Sequence, residues 1–205
     1  EYVHLAETVK EWEAAIQICL KEEFDRDLLE KRLDFAKENT WKKRALAITE
    51  KFDELFPKIS IIVITYNNLD NTKFCLESIK KNTSYPNYEL IIVDNASEED
   101  TIKYIQNFRL DDKNIELILN PENFGFAKAN NQGAAMAEGE YLVLLNDDTI
   151  VTPGWLHKLL IHLQNDPKAG MVGPVTNSIG NEAKVDVDYV NVDFTEINLF
   201  AAKHA

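Results

Sequence analysis

A rhythm that starts at Ile59 constrains this chain more than any other feature. Apolar, β-branched runs of strand length alternate with helical patterns, and each run ends in a polar cluster. Ile59–Thr65, Tyr88–Val93, Ile115–Leu119 and Tyr141–Leu145 read as four strands, and Ala169–Val175 as a fifth. Asp70–Lys81 reads as a helix with Asp70 as its N-cap. Ser97-Glu-Glu-Asp100 opens another, with Ser97 as N-cap and an acid three residues on. Gly125–Ala137 reads as a helix rich in small residues and stopped by Gly139. Thr152-Pro153 starts a further helix, with Pro at its first position. Continuous apolar strands separated by helices imply a parallel sheet covered on both faces, joined by right-handed crossovers. The expected class is therefore α/β, with a mostly parallel, Rossmann-like sheet flanked by helices.

In such a sheet, ligands bind beyond the carboxyl ends of the strands, near the point where strand order reverses. Four clusters fall on that edge: Thr65-Tyr66-Asn67-Asn68, Asp94-Asn95-Ala96-Ser97, Asn120-Pro-Glu-Asn-Phe-Gly125 and Asn146-Asp147-Asp148. One such cluster is an ordinary turn, whereas four on one edge form a candidate pocket. Asn146-Asp147-Asp148 reads either as a turn or as a metal site. Adjacent carboxylates repel, and a divalent cation removes that conflict; hard oxygen donors select Mg²⁺ or Mn²⁺. Tyr66 could end a strand or offer its ring to a base. Asp94 could close a turn or accept hydrogen bonds from a base or ribose. Gly125 permits a tight start to its helix, and Lys128 with Asn130 or Asn131 lies near the first turns, where N–H groups and a cation suit a phosphate. The alternative for Lys128 is a solvated helix face.

Residues 1–56 differ from the rest. They hold no Gly or Pro, and Leu5, Val9, Trp12, Ile16 and Cys19 or Leu20 recur at helical spacing, as do Leu29, Leu33 and Ala36, and then Trp41, Ala45, Ile48, Phe52 and Leu55. Two or three amphipathic helices are expected, free to pack on the main domain, to self-associate or to act as a linker. The net charge of −13 argues against a general nucleic-acid binder. No apolar run approaches the roughly 20 residues of a membrane helix. Cys19 and Cys75 lack metal spacing and read as free core thiols of a cytoplasmic protein. His4, His157, His162 and His204 show no ligand spacing, and Trp155 reads as a packing residue.

Taken together, "SIIVITYNN", "YELIIVDNASEEDT" and "NFGFAKANNQGAAMAEGEYLVLLNDDTIVTPGWL" closely resemble the inverting nucleotide-sugar glycosyltransferases of family two, which have the A-type fold. The resemblance covers roughly residues 58–175 and implies donor binding there. It makes Asp148 the direct metal ligand, with Asp147 beside it on metal or ribose, and Asn146 in place of the first acid of the family's Asp-X-Asp signature. It puts Thr65, Tyr66, Asn67 and Asp94 around the nucleoside, and Asn123, Gly125, Lys128 and Asn130 along the nucleotide-sugar. The implied reaction is inverting transfer from a nucleoside-diphosphate sugar to the hydroxyl of a glycan, lipid-linked or protein acceptor. A Mn²⁺ or Mg²⁺ ion assists, as in cell-surface polysaccharide biosynthesis, in the cytoplasm or at the inner face of the membrane. The family's general base lies well downstream, so it is expected beyond Ala205, and no catalytic base is assigned among the tail acids Glu182, Asp186, Asp188, Asp193 and Glu196. The expected organisation is a helical segment over 1–56, a nucleotide-sugar-binding domain over 57–175 and an incomplete acceptor-side region over 176–205. The rival reading is a non-catalytic nucleotide-sugar or glycan-binding module. A sugar nucleotidyltransferase would want a Gly-rich basic loop where this chain has "TYNNLDN", and a P-loop enzyme would need Gly-Lys-Ser/Thr.

Overall fold

The computed structural model describes residues 6–21, 26–110, 114–178, 182–189 and 192–204. His4 and Leu5, and residues 179–181 of the tail, lie outside them. The chain divides into two compact units, Glu1–Leu55 and Phe56–Ala205.

The first unit holds three helices, α1 (Val9–Lys21), α2 (Arg26–Glu38) and α3 (Trp41–Leu55). α1 begins with a reciprocal cap: Glu11 N donates to Thr8 Oγ1, and Glu11 Oε2 accepts from the Glu7 and Thr8 backbone N–H groups. Those bonds hold the Glu11 carboxyl below its ordinary value. No residue of α1 or α2 is buried, and Trp12, Ile16, Leu29, Leu33 and Trp41 are all exposed. Cys19 is exposed too, against the expectation of a core thiol, in keeping with a helix none of whose residues is buried.

The second unit contains β1 (Ile59–Thr65), α4 (Leu69–Asn82), β2 (Tyr88–Asp94), α5 (Glu99–Leu110), β3 (Ile115–Leu119), α6 (Phe126–Met136), β4 (Tyr141–Asn146), α7 (Trp155–Asn165) and α8 (Phe194–Lys203). The four strands form one parallel sheet in the order β3-β2-β1-β4. Strands β1 to β3 are laid down in one direction and β4 crosses back to the free side of β1. Strand order therefore reverses between β1 and β4, and this is where a parallel sheet opens a crevice.

Alternation along the strands sends Ile61, Val63, Leu90 and Ile92 into one core with Cys75, Leu76, Ile79, Ile105, Phe108, Leu156 and Leu160 from the helices of that face. Ile62, Ile64, Ile91 and Val93 point the other way and pack under Ala129 of α6. α6 lies very close to the sheet: a Cβ on Gly133 would sit 2.5 Å from Ile62 Cγ2. That is why small residues fill this helix. The cover on this face stops short of β4, where Leu142 and Leu144 remain 50% and 57% exposed. The sheet is thus covered on both faces at β1 and β2 but on one face at its β4 edge.

The fifth strand expected at Ala169–Val175 does not form. That stretch contains Gly170, Gly173 and Pro174, which weaken a strand and remove a ladder donor, and Met171 and Val175 are exposed. Just beyond it, Thr176 makes an isolated parallel bridge with Lys184. Helix starts also differ from the sequence reading. Asp70 lies inside the first turn of α4, and Asn68 takes the cap position in the left-handed region with no side-chain cap bond. α5 starts at Glu99 rather than after Ser97, whose hydroxyl is occupied elsewhere. α7 starts at Trp155, after Thr152-Pro153 has closed a turn through Trp155 N and Thr152 O. Trp155 packs against the core and donates its indole N–H to Thr83 Oγ1 at 3.0 Å.

Candidate functional site

β1 and β2 end in register, with Thr65 beside Asp94. Both residues are fully buried. Thr65 Oγ1 donates to Asp94 Oδ1 at 3.1 Å, and Ser97 N donates to Asp94 Oδ2 at 2.9 Å. The Asp94 carboxylate therefore closes the loop after β2 and ties it to β1, with both oxygens engaged inside the protein. Ser97 Oγ in turn accepts from Asn67 N at 2.7 Å, and Asn67 Oδ1 accepts from Glu98 N at 2.8 Å. These bonds hold Asn67 and Asn68 with φ of 56° and 50°, a left-handed pair that Asn tolerates better than most residues. The bend sends the Tyr66 side chain outward, half exposed.

A second lattice, made of amides, joins the loops after β2 and β3. Asn95 donates to Asn123 Oδ1 at 3.0 Å and Gly125 O at 3.4 Å, and its own Oδ1 accepts from Asn120 Nδ2 and Phe124 N, each at 3.1 Å. Asn120 and Gln132 exchange two bonds at 2.9 Å, and Gly125 N donates to Asn123 Oδ1 at 2.8 Å. Gly125 meets these demands at φ 79°, where a side chain would be strained.

The third wall follows β4. Asp147 is partly buried and Asp148 is exposed. Burial, aided by the Asp148 charge, raises the Asp147 carboxyl above its ordinary value, while hydrogen bonds from the Thr72 hydroxyl and the Tyr66 backbone act in the opposite direction. Two adjacent carboxylates of this kind are under electrostatic conflict that a bound cation would relieve.

The three walls enclose a cavity of about 540 Å³ at the β1–β4 crevice. It is lined by Ile64, Tyr66, Asn68, Asn95, Asn123, Gly125, Phe126, Asn146, Asp147 and Asp148. This volume falls within the range of small-molecule sites. Of the residues singled out from sequence, Tyr66, Asn123, Gly125, Asn146, Asp147 and Asp148 line one space. Thr65 and Asp94 sit buried behind it, and Asn67 supports the wall without lining it. Lys128 is exposed, its ammonium 3.5 Å from the centre of the Phe124 ring, and is not among the lining residues. Asn130 is buried in α6, donating to Phe126 O at 2.9 Å while its Oδ1 has no hydrogen-bond partner. Sequence reasoning placed Asn68 and Asn95 in the strand-end clusters without giving them a role, and missed Ile64 and Phe126 as lining residues.

Among the described residues, no group of three or more His, Cys, Asp or Glu side chains comes together. The donor set is the Asp147–Asp148 pair with the Asn146 amide beside it. Such a set cannot make a closed protein cage. It suits a hard cation that keeps several waters and takes phosphate oxygens for its remaining positions. None of the helices among the described residues is long and apolar enough to cross a membrane.

Comparison with known proteins fits this architecture. Residues 60–200 match the family model for glycosyl transferase family 2. The hyaluronan synthase of Pasteurella multocida is 31% identical over 160 residues, 74% of this chain and 16% of that protein. An uncharacterized glycosyltransferase of Haemophilus influenzae is 37% identical over 114 residues, 53% of this chain and 44% of that one. Among solved structures, the mannosyltransferase PcManGT from Pyrobaculum calidifontis, in complex with GDP-Man and Mn²⁺, superposes with a TM-score of 0.51 at 27% identity, over 56% of this chain and 34% of that one. The chain spans less than half the length of each of these three proteins. A parallel sheet of the A-type glycosyltransferase fold, a crevice at its switch point and a matching family model over most of the sequence lead to one assignment: this chain belongs to glycosyl transferase family 2.

Proposed function

We propose that the cavity at the β1–β4 crevice binds a nucleoside-diphosphate sugar together with a Mn²⁺ or Mg²⁺ ion. The protein's reaction would be inverting transfer of the sugar to an acceptor hydroxyl. The observation that carries this reading is the convergence of Tyr66, Asn123, Gly125 and the Asp147–Asp148 pair on one cavity.

Each wall would have a distinct task. The exposed Tyr66 ring offers a face for the base. The Asn95–Asn123 amides and the first turn of α6, whose leading N–H groups have no partner within the helix, border the diphosphate and sugar. Asp148 and Asp147 would hold the cation, which when bound neutralises charge on the leaving diphosphate. Asp94 and Thr65 keep the nucleoside side in shape from behind rather than by touching it.

In the transfer, the acceptor oxygen forms a bond to the anomeric carbon on the face opposite the departing diphosphate oxygen, and a base takes the acceptor's proton. None of the described residues is assigned that role. Asp193 is spent as the cap of α8, its Oδ1 accepting from Thr195 N and Glu196 N. The relative named hyaluronan synthase supports polysaccharide assembly as the setting; the acceptor in this reading is a glycan, lipid-linked or protein hydroxyl on the cytoplasmic side. The exposed apolar residues of α1–α3 support self-association.

Calorimetric titration with uridine, guanosine and deoxythymidine diphosphates tests the donor site. At least one should bind in Mn²⁺ and lose most of its affinity when the metal is chelated. Asp148→Ala should remove that metal dependence while leaving thermal stability unchanged. Binding equally tight with and without metal would refute the assignment of the acid pair.

A further inference from the structure

Helix α4 carries an unusual stripe. Thr72, Cys75, Ser78 and Asn82 fall on one helical face, and that face points into the protein: the first three are fully buried and Asn82 is 5% exposed. Core-facing helix positions are normally apolar. Here every member of the stripe bonds to the last residue of β4 or to the segment that follows it. Thr72 Oγ1 donates to Asp147 Oδ2 at 3.2 Å, and the Cys75 thiol donates to Asn146 O at 3.5 Å. Ser78 Oγ accepts from Val151 N at 3.0 Å, and Asn82 Nδ2 donates to Val151 O at 2.8 Å. The stripe is a splint for Asn146–Val151, the loop that presents the two acids to the cavity. Apart from the Cys75 bond to Asn146 at the end of β4 and an amide pair between Asn82 and Asn198 of α8, its polarity is explained by that loop.

Thr72 is the member of the splint that grips a carboxylate. We propose that Thr72 is a positioning residue for the cation site. Its hydroxyl holds Asp147 Oδ2 at 3.2 Å, alongside a bond from the Tyr66 backbone, so that the carboxylate is oriented before the ion arrives. This rests on the reading of Asp147 and Asp148 as cation ligands given above. A partner that orients a ligating carboxylate typically accounts for 10–100-fold in metal affinity. Because Thr72 is remote in sequence from the acids and touches them only through the fold, its role is separate from theirs.

The test uses the full chain and the nucleoside diphosphate it binds most tightly. Free Mn²⁺ is read by electron paramagnetic resonance, and folding is checked by circular dichroism and thermal melting. Thr72→Val keeps the shape and removes the donor, and Mn²⁺ affinity should fall roughly 10-fold with the melting temperature little changed. Thr72→Ser restores the hydroxyl and should stay within about twofold of the wild type. Asp147→Asn is the control for the site itself and should lose more affinity than Thr72→Val. If Asp147→Asn weakens Mn²⁺ binding but Thr72→Val binds as the wild type does, the positioning role is overturned and the cation site stands. Equal losses in Thr72→Val and Thr72→Ser would also overturn it, since the hydroxyl would then be irrelevant. If the wild type retains no Mn²⁺, or Asp147→Asn retains as much as the wild type, the cation site and the inference fall together. Should Thr72→Val not fold, Thr72→Ala is read by the same criteria.

Discussion

Replacing Asp94 separates a structural carboxylate from a ligand-binding one. The side chain is fully buried and takes one bond from Thr65 Oγ1 and one from Ser97 N. Asp94→Ala strands both donors away from water. Each unsatisfied buried donor costs about 1–3 kcal/mol, so together the loss should be about 3 kcal/mol even after partial relaxation. For a domain of this size that corresponds to a drop of roughly 6–12 °C in melting temperature. Asp94→Asn should behave differently. Its amide oxygen can accept from Ser97 N, and its NH₂ can donate to the Thr65 hydroxyl, which rotates to accept. The expected cost is within about 1 kcal/mol. Urea unfolding followed by circular dichroism measures both, and nucleoside diphosphate titration of the folded fraction gives the functional side. Asp94→Ala should also weaken nucleotide binding, because Ser97 holds Asn67 and so the outward turn of Tyr66. An Asp94→Ala protein as stable as the wild type would refute the argument. So would an Asp94→Asn protein of full stability that binds nucleotide far more weakly, for that would mean a direct contact.

Gly133→Val should destabilise by about 1–3 kcal/mol, since a Cβ there already overlaps buried Ile62, and the displaced α6 should weaken nucleotide binding; a denaturation midpoint at or above that of the wild type would contradict the close approach. Asp147→Asn should slightly raise the melting temperature of the metal-free protein at neutral pH. The Asp147 carboxyl is raised by burial first and by Asp148 second, so the folded state holds its proton more tightly than the unfolded chain does. Stability from this group is therefore greatest at low pH and is lost as pH rises past the ordinary carboxylate range, and melting scans from acid to neutral pH should flatten in the variant. Burial, with the charges of Asp147 and Asp148, pushes the Cys75 thiol up to about 12, whereas Cys19 is exposed. A thiol reagent at neutral pH should modify one cysteine in the native protein and both in denaturant.

The strands were legible because runs such as Ile59–Ile64 are apolar whichever face they present, and parallel pairing needs only that. Helix starts were harder. A cap residue is recognised by its local side-chain bond, but tertiary partners claimed those side chains: Ser97 Oγ went to Asn67 N, and Asn68 was bent by its neighbours rather than by a cap. The expected strand at Ala169–Val175 failed where two Gly and one Pro outweighed four apolar residues. Six of the residues named for the pocket line it because they lie at the carboxyl end of a strand or in the loop that follows it, a position that sequence order reveals. Asn68 and Asn95 were given no role because polar loop residues are common, and Phe126 because an aromatic residue at the start of a helix more often packs than lines a pocket. Thr72 was invisible for a deeper reason: its partner lies 75 positions away in the chain.

The amide lattice of Asn95, Asn120, Asn123 and Gln132 contains no group that gains or loses a proton at ordinary pH. One flank of the crevice is thus indifferent to acidity, while the other carries the Asp147–Asp148 pair. Acid should strip the ion without reshaping the opposite wall, whose amide bonds should persist from mildly acidic to neutral solution.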